Sequence, residues 1–368
     1  MVGHKIAETV IHVTERMTYT NVNKILTHAD EAVTKKYQEL VPMFFLMKEL
    51  SEIVRKNRKK RGAIDFDFPE SKVILDENGK PVDIYEYEHN SATDLIEDFM
   101  LLANETVAEE YYFNEIPFVY RTHEEPDSEK IESVFSMIRA GKIKVKKAKE
   151  NVSPKEIQQV LKEIEGLECE PFFARLLLRS MKQAKYTTDC IGHFGLAARY
   201  YCHFTSPIRR YPDLQIHRII KENLRSRMTK EKKQHYKEIL PDVASRSSML
   251  ERRAEEVERE TVKMKKAEYM MAHIGEEFEG IISGVTEWGF YVELSNTIEG
   301  LVHVNLLTDD YYEYDREHYT LTGEDTGKVY KMGQKIRVKV SKADLATRTV
   351  DFLPAKEKTA VFSYLDEE

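Results

Sequence analysis

Residues 192–218, GHFGLAARYYCHFTSPIRRYPDLQIHR, concentrate side chains able to handle phosphate. Thr205, Ser206 and Pro207 spell a turn, and Ile208, Arg209, Arg210 and Tyr211 come directly after it, where a helix should begin. Two adjacent guanidiniums on a rigid turn, beside a helix N-terminus, suit an oxyanion or a phosphate. Tyr200, Tyr201, Phe204 and Tyr211 set aromatic faces among the arginines, the mixture found in single-stranded nucleic-acid channels. The same residues also fit a blander arrangement, a buried arginine paired with Asp213 or Glu222 inside a helical core. Both readings stand on these residues. A zinc site is set aside: Cys190, His193, Cys202 and His203 offer only Cys-x2-His and an adjacent Cys-His pair. Adjacent ligands rarely both reach one tetrahedral ion, and a Cys-x2–4-Cys knuckle is missing.

The chain that must position these residues has 368 amino acids, 41% hydrophobic and 33% charged. That is enough for two or three domains with real cores, and it excludes a disordered chain, a collagen-like fibre or a disulfide-stapled miniprotein. With 56 Lys and Arg against 64 Asp and Glu, the net charge is −8. Coating nucleic acid through bulk charge is thereby excluded, whereas local basic patches are not. Cys169, Cys190 and Cys202 are too few for a disulfide framework, so a reducing cytoplasm is the expected compartment. The first residues carry no apolar signal core, and the run VPMFFLM at 41–47 is far too short to span a bilayer.

The apolar spacing of residues 21–60 predicts a helix that ends in the basic run 55–61 and stops at Gly62. That run reads as a solvated helix end or, more sharply, as a phosphate-contacting rim. Residues 63–68 and 71–75 alternate like strands, with a hairpin turn at Asn78-Gly79. A helix is expected over 91–109, capped by Ser91 or Thr93, then a charged helical stretch over 127–167. Further helices are expected at 171–185, 209–227 and 249–271. From about residue 275 short β-branched and aromatic runs broken by glycines predict a small β-barrel, with the boundary at 272–274.

The string HFTSPIRRYPD at 203–213, with His217-Arg218 just beyond it, closely resembles the signature of the RNase II/RNase R (RNB) family of processive 3′→5′ exoribonucleases. Supporting matches are LRSMKQAKY at 178–186, RGAIDFDF at 61–68 and IEDFMLLAN at 96–104, while ERMTY at 15–19 is similar to the RNase R branch. The resemblance implies a deep channel for the RNA 3′ end, with Arg209 on the scissile phosphate, where a guanidinium would stabilise charge on the phosphoryl oxygens. Arg210 and Tyr211 fall beside it in the RNA-contacting set. Glu258 matches the glutamate that contacts the terminal nucleotides, Phe66 a base-stacking phenylalanine and Glu97 a carboxylate on sugar or base. Ordinary strand core for Phe66 and an exposed helix position for Glu97 remain alternatives.

Residues 278–285 (FEGIISGV), 288–292 (WGFYV) and 299–304 (EGLVHV) resemble the S1-type RNA-binding OB fold. That likeness implies an RNA face of Trp288, Tyr291 and His303 with Asp344 and Arg348, and Phe290 pointing the other way into the core. The segment 309–328 is longer and more acidic than a minimal barrel needs.

One departure matters more than any match. The family holds Mg²⁺ through Asp-x5-Asp-x-Asp-Asp, and no such string occurs in this sequence. The tyrosine that clamps the last base and the cold-shock domains are also missing. The expected fold is therefore α+β: the C-terminal part of an RNB catalytic domain (residues 1–272), an S1-type OB-fold β-barrel (273–356) and an acidic tail (357–368). The implied parent reaction is Mg²⁺-dependent hydrolysis from the 3′ end to nucleoside 5′-monophosphates, and the family's metal ligands are expected to be absent from this sequence. The expected partner is the 3′ end of single-stranded RNA, with ribosomes or RNA-degradation machinery as further partners and no membrane. The alternative is a non-catalytic RNA-binding fragment or partner subunit.

Overall fold

The computed structural model describes residues 3–64, 70–87, 89–167, 169–316 and 318–355. Phe66 and most of the strand expected at 63–68 lie outside the described residues. In chain order the elements are α1 (Tyr19–Leu26), α2 (Glu31–Lys36), α3 (Val41–Arg61), β1 (Glu70–Leu75), β2 (Pro81–Tyr87), α4 (Ser91–Phe113), β3 (Tyr120–Thr122), α5 (Ser128–Ala140), α6 (Pro154–Ile164), α7 (Glu170–Ser180), β4 (Lys185–Thr187), α8 (Tyr211–Leu224) and α9 (Lys230–Met271). After them come β5 (Glu277–Thr286), β6 (Gly289–Leu294), β7 (Glu299–His303), β8 (Tyr312–Asp315), β9 (Thr320–Gly323), β10 (Val329–Lys331), β11 (Lys335–Asp344) and β12 (Thr349–Pro354). The contacts divide the chain into two compact units: Met1–Asp67, Glu88–Glu165 and Leu176–Glu255 form one, and Phe68–Tyr87, Gly166–Arg175 and Glu256–Glu368 the other.

The first unit is mainly helical. The single helix expected over 21–60 is three helices, because Asp30 accepts the Val33 N–H at 3.0 Å to start α2 and Pro42 sits in the first turn of α3. Gly62 closes α3 with a left-handed φ of 113°, as its glycine predicts. The basic run 55–61 proves to be partly a clamp. Arg55 binds Asp94 at 2.8 Å and Asp98 at 3.0 Å, Arg58 lies 3.3 Å from Asp98, and Arg61 grips Glu105 at 2.6 and 2.9 Å. Asp98, wholly buried, also accepts from the Ser51 hydroxyl at 2.7 Å. These bonds fasten α3 to α4. Asn90, rather than Ser91 or Thr93, caps α4, with Thr93 returning a bond to the Asn90 N–H at 3.0 Å. Gly141 and Pro154 split the stretch 127–167 into α5 and α6, leaving 142–153 irregular.

In the second unit five strands close a barrel in the order β11-β12-β7-β6-β5. Its core holds Phe290, Val292, Val302, Val338 and Phe352, with Phe290 stacked on Tyr330 at 4.6 Å. The antiparallel hairpin β1–β2, turned at Gly79, adds Val73 and Ile84 to that core. The acidic segment 309–328 contributes to a second sheet, β10-β9-β8. Its carboxylates close turns: Asp310 accepts from Thr326 N at 2.7 Å and Asp309 pairs with Lys328 at 3.1 Å. The helix expected from residue 249 begins at Lys230 and runs 42 residues, continuing through Pro241. No helix among the described residues is long and apolar enough to cross a membrane.

Candidate nucleic-acid interface

The segment 201–204 is pinned to its surroundings before the arginines begin. Asn104 on α4 accepts from Phe204 N at 2.9 Å and donates to the Tyr201 hydroxyl at 3.2 Å. His217 on α8 stacks on Phe204 with centroids 4.4 Å apart and bonds its carbonyl at 2.9 Å. The chain then turns, with the N–H groups of Arg209 and Arg210 both donating to Ser206 O, at 3.3 and 3.1 Å.

Asp213, in the first turn of α8 and without solvent exposure, organises the arginine turn. Its Oδ1 accepts Ser206 N at 2.8 Å and Arg210 Nη2 at 2.7 Å, and its Oδ2 accepts Arg210 Nε at 2.9 Å. Arg210 is thus the arginine of the bland reading, forked onto Asp213, while Glu222 pairs with Lys232 instead. Arg209 next to it is exposed, as are Ile208 and Tyr211, and the Arg218 guanidinium lies 5.9 Å from the Tyr211 ring. Adjacent in sequence, the two arginines divide the work: one locks the turn and the other presents a cation to solvent. That arrangement can hold a phosphate without reorganising.

Beneath this turn lies a polar chain that no sequence motif marks. The Tyr186 hydroxyl is 2.9 Å from His203 Nδ1 and donates to Glu251 Oε1 at 3.3 Å. Glu251 in turn pairs with Arg121, whose guanidinium stacks 4.7 Å over the Tyr186 ring. Burial, reinforced by the Arg210 and Arg121 charges, pushes the His203 imidazole down to about 2, and burial beside His123 takes His193 to about 3. Both rings are neutral at physiological pH. His203 does not stand out in the sequence as a polar site, because the tyrosine that partners it lies 17 residues upstream. Of the residues weighed for zinc, Cys202 donates to Asn104 O at 3.3 Å, Cys190 to Arg199 O at 3.8 Å, and His193 Nδ1 accepts Leu196 N at 3.2 Å. Burial pushes both thiols up.

Glu97 lies on α4, 3.6 Å from Arg58 and 45% exposed, so it carries the clamp's outer charge. Glu258 is an exposed residue of α9 in the second unit. On the barrel, Trp288 is 45% exposed, and its indole N–H donates to the Tyr291 hydroxyl at 3.4 Å. Gly289 pairs with His303 across β6 and β7, so the three candidate side chains share one region of the barrel. The parity of β6 is as expected: Phe290 is fully buried and Tyr291 half-buried. Asp344 and Arg348 sit on the β11–β12 hairpin with structural partners. Asp344 accepts from Ala346 N at 2.8 Å and Thr347 N at 3.2 Å, which holds its carboxyl below the usual range, and Arg348 pairs with Glu260 of α9.

The RNB domain family matches residues 1–226, more than half of the chain. The chain belongs to the RNB family. An S1 RNA binding domain matches residues 272–353. Ribonuclease R 1 of Lactococcus lactis is 43% identical over 352 residues, covering 96% of this chain and 43% of that protein. Ribonuclease R of Aquifex aeolicus is 42% identical, covering 95% of this chain and 49% of its own length. Among solved structures, Mycoplasma genitalium RNase R in complex with ribose methylated single-stranded RNA has a TM-score of 0.79 at 30% identity, covering 92% of this chain and 53% of that one. This RNB chain therefore spans about half the length of the curated relatives it matches. RNB nucleases are generally metal-dependent, yet among the described residues no three His, Cys, Asp or Glu side chains group so as to hold a metal ion. The described residues do not fit a resident Mg²⁺.

Proposed function

We propose that this chain grips single-stranded RNA as part of a Ribonuclease R-type 3′→5′ exoribonuclease that releases nucleoside 5′-monophosphates. In this reading residues 1–272 are the C-terminal portion of the RNB catalytic domain, 273–356 the S1-type barrel and 357–368 an acidic tail. The observation that carries it is the exposed Arg209 guanidinium, held on a turn that Arg210 and Asp213 lock from behind. Arg209 takes the scissile phosphate, Tyr211 stacks nearby, and Trp288, Tyr291 and His303 offer a stacking and hydrogen-bonding face on the barrel. Glu258 and Glu97 meet nucleotide or ribose, and Asp344 and Arg348 support the barrel's RNA face. The missing Asp-x5-Asp-x-Asp-Asp string supports a narrower statement: hydrolysis needs Mg²⁺ held by carboxylates from outside this sequence, and the chain alone binds RNA without cutting it. The same fact favours a second reading, a non-catalytic RNA-binding subunit working with ribosomes or degradation machinery in the cytoplasm.

Binding of a labelled single-stranded RNA, monitored by fluorescence anisotropy over a range of salt, tests this. Arg209→Ala should weaken binding by about 1.5–3 kcal/mol, the worth of a charged hydrogen bond, and reduce the salt slope by about 1. Trp288→Ala should cost roughly 1–3 kcal/mol, the worth of a stacked base. An Arg209→Ala chain with unchanged affinity and slope refutes the phosphate role. Robust mononucleotide release by the purified chain alone, lost in Arg209→Ala, refutes the need for external carboxylates.

A further inference from the structure

The chain of bonds beneath the arginine turn fixes which nitrogen of His203 carries the proton. Glu251 is a carboxylate held by Arg121 and can only accept. The Tyr186 hydroxyl has one proton, and both of its contacts are satisfied together only when that proton goes to Glu251 Oε1, 3.3 Å away. The 2.9 Å contact between Tyr186 and His203 Nδ1 then needs its proton from the histidine. A neutral imidazole has a single N–H. Since burial and the neighbouring arginines keep this ring neutral, Nε2 is left with a bare lone pair. Nε2 makes no hydrogen bond among the described residues, and the ring is partly open to solvent. His203 also opens the segment that ends at Arg209, whose charge is among those bearing on its ring.

An acceptor held in a fixed tautomer close to a phosphate-binding cation selects for a donor next to a phosphate. Along the strand the ribose 2′-hydroxyl is the one backbone donor that RNA has and DNA lacks, since the terminal 3′-hydroxyl is common to both. We propose that His203 is a specificity-determining contact whose Nε2 accepts a hydrogen bond from a 2′-hydroxyl of the strand held on Arg209, with Tyr186 and Glu251 as positioning residues that set its tautomer. The inference rests on the RNA-binding reading above and names what that site distinguishes.

The test compares Kd for a short single-stranded RNA, the same RNA carrying single 2′-deoxy substitutions in turn, and the all-deoxy strand. In the unaltered chain one deoxy position should carry a penalty of about 5–10-fold, the worth of one hydrogen bond of about 1–1.4 kcal/mol. His203→Asn keeps a donor on the Tyr186 side and removes the Nε2 acceptor. It should weaken RNA binding by that factor, leave all-deoxy binding unchanged and abolish the positional penalty. Tyr186→Phe, which releases the tautomer without emptying the core, should shrink the penalty to about 2–3-fold. A purely structural role would weaken both strands equally and leave the penalty in place. If the unaltered chain binds neither strand, the RNA reading falls and this inference with it. If it binds RNA with the expected salt dependence but the deoxy penalty is equal in the unaltered and His203→Asn chains, only the role of His203 is refuted.

Discussion

Replacing Asp213 by alanine should do more damage than replacing the exposed Arg209 beside it. Asp213 has no solvent exposure and accepts three hydrogen bonds, from Ser206 N, Arg210 Nη2 and Arg210 Nε, at 2.8, 2.7 and 2.9 Å. Its loss leaves the Arg210 side chain, only 19% exposed, without its counter-charge and the Ser206 N–H without an acceptor. Breaking a buried pair from one side costs about 3–5 kcal/mol, most of it the penalty of the abandoned charge. For a unit of this size that corresponds to a fall in Tm of roughly 6–20 °C. Far-UV circular dichroism during heating is the suitable assay, because the first unit is mainly helical and the single tryptophan, Trp288, belongs to the other unit. The double variant Asp213→Leu with Arg210→Met should recover a large part of the loss, since it removes both charges together. An Asp213→Ala chain that melts within about 2 °C of the parent would mean the pair behaves as an exposed one, and the division of labour between Arg209 and Arg210 would be wrong.

Acid should destabilise the first unit before its carboxylates titrate. His193 and His203 are held near 3 and 2 mainly by burial, and burial also lowers His123. Below about pH 6.5 the unfolded chain therefore takes up protons that the folded chain refuses, so stability present above that pH is lost as pH falls toward the folded values. A melting temperature that stays flat between about pH 7.5 and pH 5 would contradict this. In the barrel, Gly289→Ala should prevent closure, since its Cβ would lie 2.1 Å from Val302 O at a φ of +142°. Gly327→Ala, at φ +65° with no atom within 4 Å, should cost only about 1 kcal/mol. Urea unfolding monitored by Trp288 fluorescence compares the two, and equal effects would refute the steric argument.

How far these features could be read in the sequence depended on whether their cause was local. The barrel was readable because strand alternation decides by parity that Phe290 enters the core while Tyr291 does not. The turn at 206–210 was readable from its residues, but the choice between Arg209 and Arg210 was not. That choice rests on which side chain reaches Asp213, a matter of helix geometry. The clamp of Arg55, Arg58 and Arg61 looked like a solvated helix end because its acidic partners lie about 40 residues away on α4. Pro241 hid the first half of α9, since a proline normally reads as a break and here the helix continues through it. The Glu251–Tyr186–His203 chain joins three segments that carry no common periodicity.

The β1–β2 hairpin has a consequence for how the molecule can be made. Val73 and Ile84 belong to the same core as Phe290, Val302 and Phe352, yet the ribosome releases them some two-thirds of the chain earlier. At synthesis rates of about 5–20 residues per second, the hairpin waits roughly ten seconds to a minute for the strands that will bury it. A two-stranded ribbon is marginal by itself in water, so during that interval its apolar face is open to chaperones and to other nascent chains. Cutting the gene at the apparent boundary near residue 272 would make the wait permanent. The barrel would be expressed without two of its core side chains, and the remainder would keep a hairpin covered only by the end of α9, around Ala267 and Met270.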